Sequence, residues 1–341
     1  MQAPRTVRIA TRESQLALAQ TRMVAAALAG RQSGLAVELV PMTTKGDRVL
    51  DRPLAQVGGK GLFVKELELA MEAGRADLAV HSLKDVPMVL PPRFALATFG
   101  AREVAEDAFV SNRFDSLASL PEGARVGTSS LRREAQLRHA FPALDVRALR
   151  GNVNTRLARL DAGDYDAIVL AAAGLRRLGL ERRIRALLDA IPAIGQGILA
   201  IEHPADRADL AALVAPFEEA ATSAAARCER ALGLIVEGSC EVPLGAHARV
   251  EGARLALAAF LGMPDGSRLV RMEDSGALAD AEGLGRSLGR AQASVVSSRG
   301  SCAIRGVSFS RERFTKLAAT RKQRERAMRS SSSCGKTPTR T

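Results

Sequence analysis

The stretch "ARVGTSSLRREAQLRHAF", residues 124–141, opens as a short apolar strand, turns on small hydroxyl residues and continues as a helix. A serine in that turn is placed to cap the helix. The same grammar recurs on both sides of it. "VRIA" reads as a strand, Ser14 as the cap of the helix "SQLALAQTRMVAAALAG", and Gly30 as its stop. "LAVELVPM" is the next strand, and "GGKGLFVKELELAMEAG" a glycine-rich loop with a helix closing at Gly74. "ADLAVHSLKDVP" then reads as a strand ending in a turn at Pro87. Beyond a link near 100–106, "LDVRALRGNVNTRLARLDAG" and "YDAIVLAAAGLRRLGL" repeat strand, turn and helix. Alternation of this kind predicts parallel βα units with both faces of each sheet covered.

Further on the pattern changes. "IPAIGQGILAIE", residues 191–202, reads as a glycine-flexed crossing back to the first domain. "DLAALVAPFEEAATSAAARCERAL" is helical, and "HARVEGARLALAAFLGMPDGSRLVRME" alternates like an antiparallel sheet with turns at Gly252 and Asp265-Gly266. The fold class expected is therefore α/β, with two α/β domains around a cleft and a small α+β C-terminal domain. The boundaries are 1–100 with 200–218 for the first domain, 101–199 for the second and 222–298 for the third, followed by a basic tail at 299–341.

The 341 residues are 47% hydrophobic with no tryptophan and one tyrosine, so alanine, leucine and valine must fill the core. No apolar run is long enough to span a membrane, and the N-terminus lacks a signal core, so the chain reads as cytoplasmic. The net charge of +12 is misleading as a sign of nucleic-acid binding. Twelve Lys/Arg and two Asp/Glu fall after residue 298, leaving 37 basic and 35 acidic side chains in the body. The tail is of low complexity and reads as disordered. Scarce aromatics leave nucleic acid a weak alternative.

Several strand ends carry cations, which is where ligands of open α/β sheets bind. Arg12, Lys84, Arg132, Arg133, Arg150, Arg156, Arg176 and Arg177 all sit at or near such places. They are either a shared anion site or ordinary solvated charge; recurrence at one topological position favours the site. Arginine's planar fork suits carboxylate or phosphate. "GGKG" lacks the spacing of a phosphate loop and no GxGxxG follows a strand, so no nucleotide is expected. Separated cations over two domains suit a ligand with many carboxylates.

Asp85, next to Lys84, is either a turn cap or ion-pair partner, or a group for acid–base or electrostatic work. His81, His139, His203 and His247 are not grouped at ligand spacing, and the four cysteines show no zinc pattern, so no metal is expected. Cys228 lies in an apolar helical pattern and reads as a small core residue. Cys240 stands apart, on a Gly-Ser turn in "EGSCEVPLGAHA", residues 237–248.

Seven ordered motifs, "RIATRESQLALAQ", "GGKGLFVKELE", "AVHSLKDVP", "VGTSSLRREAQL", "LRGNVNTRL", "GQGILAIE" and "EGSCEVPLGA", together resemble the hydroxymethylbilane synthase (porphobilinogen deaminase) family over about residues 5–290. The resemblance implies two domains like periplasmic binding proteins around a cleft, plus a third. It implies a transferase of tetrapyrrole, porphyrin and heme synthesis that joins four porphobilinogen molecules head to tail, releasing ammonia each time. Water then frees 1-hydroxymethylbilane. It also implies a covalent dipyrromethane primer, with Cys240 as its thioether sulfur, a link that survives turnover. Asp85 would be the catalytic aspartate that stabilises the azafulvenium cation left when ammonia departs. Lys84, Thr128, Ser130, Arg132 and Arg133 would hold the cofactor, and Arg12, Ser14, Arg150, Arg156 and Arg177 the substrate carboxylates. Arg176 is left out. Lys60 and Phe63 would belong to a lid.

Two departures accompany the resemblance. Gln56 stands where many relatives carry a lysine, and the likeness ceases after about Arg290. A shifted reading frame or a true extension would account for the second. The chain is expected to be a monomer with porphobilinogen as its partner, and no membrane or nucleic acid. The reading from another class is a binding protein using the same cleft for a small anion, which would need neither Cys240 nor Asp85.

Overall fold

The computed structural model describes residues 6–48, 61–236 and 243–298. Its first sheet begins with β1 (Thr6–Arg12), α1 (Gln15–Arg31), β2 (Ala36–Met42) and the short α2 (Lys45–Arg48). α3 (Lys65–Glu72), β3 (Leu78–Ser82) and β4 (Phe94–Phe99) follow. The second comprises β5 (Asp107–Val110), β6 (Arg125–Gly127), α4 (Leu131–Ala140), β7 (Asp145–Arg147), α5 (Val153–Asp161), β8 (Ala167–Ala171), α6 (Ala172–Arg177) and β9 (Ala186–Leu188). β10 (Leu199–Pro204) and α7 (Ala208–Val214) come next. The chain then gives α8 (Ala220–Val236), β11 (Leu244–Glu251), β12 (Arg254–Gly262), β13 (Leu269–Ala277) and α9 (Ala281–Ser298).

The two large sheets share one topology. Their strand orders are β2-β1-β3-β10-β4 and β7-β6-β8-β5-β9. In each, three parallel strands come from successive βα units. The fourth strand runs antiparallel: β10 against β3 and β4, β5 against β8 and β9. This corrects the expectation of purely parallel sheets. The two segments that cross between the halves lead into β5 and β10, each inserted between two strands of the other sheet and antiparallel to both. "IPAIGQGILAIE" does return to the first sheet, as β10. The strands β4, β5 and β9 are three to six residues long, too short to show a period.

Both faces of each sheet are covered, which is why their strands read as nearly continuous apolar runs. On the first, Val7, Ile9, Leu78, Val80 and Ile201 pack against Val24 and Leu28 of α1 and Leu210 and Val214 of α7. The opposite face sets Ala10 and Ala79 against Leu67, Ala70 and Met71 of α3. On the second, Ile168 and Leu170 meet Leu157, Leu160 and Leu175, while Phe109, Val126 and Val169 meet Leu137.

β11, β12 and β13 form the expected antiparallel meander. Gly252 and Gly266 turn it at φ of 61° and 73°. α9 packs on α8, and a Cβ at Gly285 would lie 2.0 Å from the Cys228 carbonyl oxygen, so the two backbones touch there. Cys228 is fully buried, as expected, and burial pushes its thiol up to about 12. Glu229 of α8 joins both crossing segments to β11. Its carboxylate accepts from Arg102 Nη1 at 2.6 Å, Gly195 N at 2.7 Å and Ala248 N at 2.8 Å.

Candidate active site

In each large sheet the first strand–helix turn ends on a serine cap. Ser14 Oγ accepts from Ala17 N at the start of α1, and Ser130 Oγ from Arg133 N at the start of α4. After β3 the chain tightens into a 3-10 turn, Leu83–Asp85. Leu83 N donates to Ile198 O at 2.9 Å, which pins this turn to the crossing segment. Asp85 thereby lines an open depression with Arg12, Ser14, Gln20, Phe63, His81 and Ser82.

Arg12 is fixed on two sides. Its guanidinium lies 4.3 Å from the Phe63 ring centroid, and its Nε donates to Asp47 Oδ2 at 3.0 Å. Thr44 Oγ1 donates to the same oxygen at 2.7 Å. Burial works against the Arg12 charge, yet the hydrogen bond with Asp47 and the negative charges of Asp85 and Asp47 raise its pKa. A Cβ at Gly46 would fall 2.3 Å from the Phe63 ring and push that ring off Arg12.

Arg132 and Arg133, expected to face a ligand, both pair with Asp107. Their Nη2 atoms lie 2.7 and 2.8 Å from its two oxygens, and the Arg133 Nε donates at 3.0 Å. Burial opposes ionisation of Asp107, but Arg132 and Arg133 hold it well below the usual carboxylate range. Asp107 also accepts from Gln196 Nε2 at 2.8 Å, and Lys84 Nζ donates to Gln196 Oε1 at 3.4 Å. Burial pushes Lys84 down to about 8, with Asp85 and Asp107 pulling the other way. Gln196 needs the glycines on either side of it. Gly195 and Gly197 have φ of 71° and 89°, and a Cβ at Gly197 would sit 2.2 Å from the Glu103 carbonyl oxygen.

Arg156 donates from Nε to Gly151 O at 2.7 Å. Burial, then the charges of Arg133 and Arg150, lower it to about 10, while Asp85 acts in the opposite sense. Burial also lowers Arg150 and Arg177. Arg177 Nη2 donates to Gly197 O at 2.7 Å, whereas Arg176 pairs with Glu103 at 3.1 Å. Thr128 Oγ1 accepts from Ser130 N at 3.2 Å. Cys240 and Lys60 lie outside the described residues, as do Gln56 and the tail. Asp47, Asp107 and Gln196 were missed by sequence reading. Only the glycines around Gln196 carried a signal.

Asp85 is thus a carboxylate whose charge is felt by Arg12 and Lys84 beside the first sheet and by Arg156 of α5 beside the second. Arg12, Lys84, Arg132, Arg133, Arg150 and Arg156 outnumber Asp47, Asp85 and Asp107, so the place favours a polyanion. No cluster of metal-ligating side chains occurs among the described residues. Fold and site define an α/β protein with a cation-rich depression around one carboxylate, Asp85.

Comparison with known proteins narrows that class. Residues 7–212 match the porphobilinogen deaminase dipyromethane cofactor binding domain, and residues 223–292 the porphobilinogen deaminase C-terminal domain. Porphobilinogen deaminase of Bordetella parapertussis is 55% identical over 293 residues, covering 85% of this chain and 93% of that protein. Its counterpart in Burkholderia thailandensis is 57% identical over 291 residues, covering 84% and 88%. A nutrient binding protein from Burkholderia cenocepacia bound to methionine gives a TM-score of 0.40 at 16% identity, over 61% of this chain and 90% of that one. The chain belongs to the porphobilinogen deaminase family. It is a hydroxymethylbilane synthase, a transferase that builds the linear tetrapyrrole from four porphobilinogen molecules on a dipyrromethane cofactor.

The residues present fit that cofactor. Its carboxylates call for donors, and the start of α4 offers buried ones: Arg132 Nε and Ser129 Oγ have no hydrogen-bond partner among the described residues.

Proposed function

We propose that Asp85 is the catalytic carboxylate and that the surrounding cations bind the acetate and propionate groups of the growing chain. Lys84, Thr128, Ser130, Arg132 and Arg133 would hold the dipyrromethane, and Cys240 would tether it. When bound, that group supplies the free pyrrole carbon on which the chain grows. Arg12, Ser14, Arg150, Arg156 and Arg177 orient the carboxylates of the incoming porphobilinogen, with Phe63 and Lys60 over it. Asp85 holds its negative charge against the cation that develops as ammonia leaves. The observation that carries this reading is the convergence of Arg12, Lys84 and Arg156 on Asp85 from both large sheets.

The buried Asp107 sets the part of Arg132 and Arg133. With two guanidinium groups on one carboxylate, the pair keeps a net positive charge fixed at the α4 N-terminus. We also take residues 1–100 with 200–218, 101–199 and 222–298 as three domains, in a monomer that works in the cytoplasm without membrane or nucleic acid. The near balance of charge over residues 1–298 supports the last point.

Arg156→Ala tests the binding role. Loss of one charged hydrogen-bond donor is expected to lower kcat/KM for porphobilinogen by at least about tenfold. Steady-state kinetics on the cofactor-loaded variant checks it; unchanged kcat/KM would remove Arg156 from the site.

A further inference from the structure

Behind the depression lies a trio of titratable side chains that the cation cleft does not use. His81 of β3 lines the depression that holds Asp85, and its Nε2 stands 3.0 Å from Glu202 Oε2 of β10. The two side chains are 3% and 0% exposed. Glu202 Oε1 is buried with no hydrogen-bond partner among the described residues. The titratable neighbour of Glu202 on α3, which packs on β10, is another carboxyl, Glu68, which is only half-buried. Two carboxyls bond each other only through a proton that one of them holds. The trio therefore runs from the wall of the depression, along the face of the first sheet that α3 covers, to solvent beside α3.

The reaction gives such a path a proton to carry. Each addition forms a carbon–carbon bond at the attacked pyrrole carbon and breaks its C–H bond. One proton must leave for each ammonia expelled as a neutral molecule from the protonated amine. We propose that His81, Glu202 and Glu68 form a relay that carries this proton from the depression to solvent at α3. A proton arriving at His81 Nδ1 releases the Nε2 proton to Glu202. Glu68 gives its own proton to water, so the carboxyl pair holds one proton before and after the step.

The surroundings suit this part. Burial, followed by the charge of Glu202 and the hydrogen bond to it, pushes Glu68 up to about 7, with His81 and Arg93 pulling the other way. A group with that value gains and loses a proton readily at neutral pH. The other charged groups around the trio are Arg93, paired with Glu72 of α3 at 2.5 Å, and Arg230 of α8. Arg230 Nη2 donates to Pro87 O and Met88 O at 2.8 and 3.0 Å, which holds it in place without consuming the Glu202 carboxylate.

The relay rests on the Asp85 depression being the place of reaction, which Asp85→Asn tests separately. The test here is the pH profile of kcat in cofactor-loaded wild type and Glu68→Gln. Glu68 must be free to lose its proton, so wild-type kcat is expected to rise with pH through a group near 7. In Glu68→Gln that rise should vanish, with kcat at alkaline pH about tenfold lower and KM little changed. A rise retained in Glu68→Gln, whatever its kcat, overturns the relay, since a purely structural role would leave the profile in place. Glu68→Asp keeps a carboxyl and should keep a rise displaced in pH. A rise unmoved in that variant also counts against the proposal.

Discussion

Asp85→Asn is expected to lower kcat by about 10²–10⁴-fold while leaving KM and the fold nearly unchanged. Asparagine keeps the size of the side chain and its capacity to hydrogen-bond, and removes only the charge. In wild type that charge lies among Arg12, Lys84 and Arg156. Those cations favour carboxylates of the ligand, yet they oppose a positive charge developing between them. Without Asp85 the departure of ammonia would create a cation in a positive field. The loss should therefore fall on the chemical step and not on binding. Because the primer is made by related chemistry, the measurement requires enzyme already carrying it. Near-normal turnover in the folded, loaded variant would remove Asp85 from the mechanism.

The second large effect is on stability. Asp107→Asn should destabilise the protein by about 3–5 kcal/mol, because it leaves Arg132 and Arg133 buried without their counter-charge. Urea unfolding of both proteins at neutral pH measures it. The pH dependence has a definite sign. The folded-state pKa of Asp107 is depressed below its unfolded value. Its contribution is therefore fully present above about pH 4 and is lost as pH falls through the folded value. The gap between wild type and variant should persist down to about pH 4 and close only in stronger acid. A gap under about 1 kcal/mol at neutral pH would mean that the two arginines find other partners.

The βα grammar was legible because each unit brings its own strand, capped turn and helix within about 20 residues. Ser14 and Ser130 cap where the sequence placed them. The antiparallel strands inside the two large sheets were not legible. β5 is four residues long and buried throughout, so it shows neither alternation nor a turn signal. At the site, Asp85 and its cations could be found from their places at strand ends. Asp107 could not, since nothing beside it in the chain reveals that Arg132 and Arg133 will close on it. Gln196 belongs with it, because only folding brings the crossing segment under Lys84. His81, Glu202 and Glu68 come from two strands and a helix, and their mutual contact exists only in three dimensions.

The most direct measurement is mass spectrometry of the peptide containing Cys240 from active enzyme. It should carry a dipyrrole on its sulfur, coloured by Ehrlich's reagent and lengthening by one pyrrole unit at a time on brief exposure to porphobilinogen. A free Cys240 thiol in fully active protein would contradict a tethered chain growing in a cationic cleft.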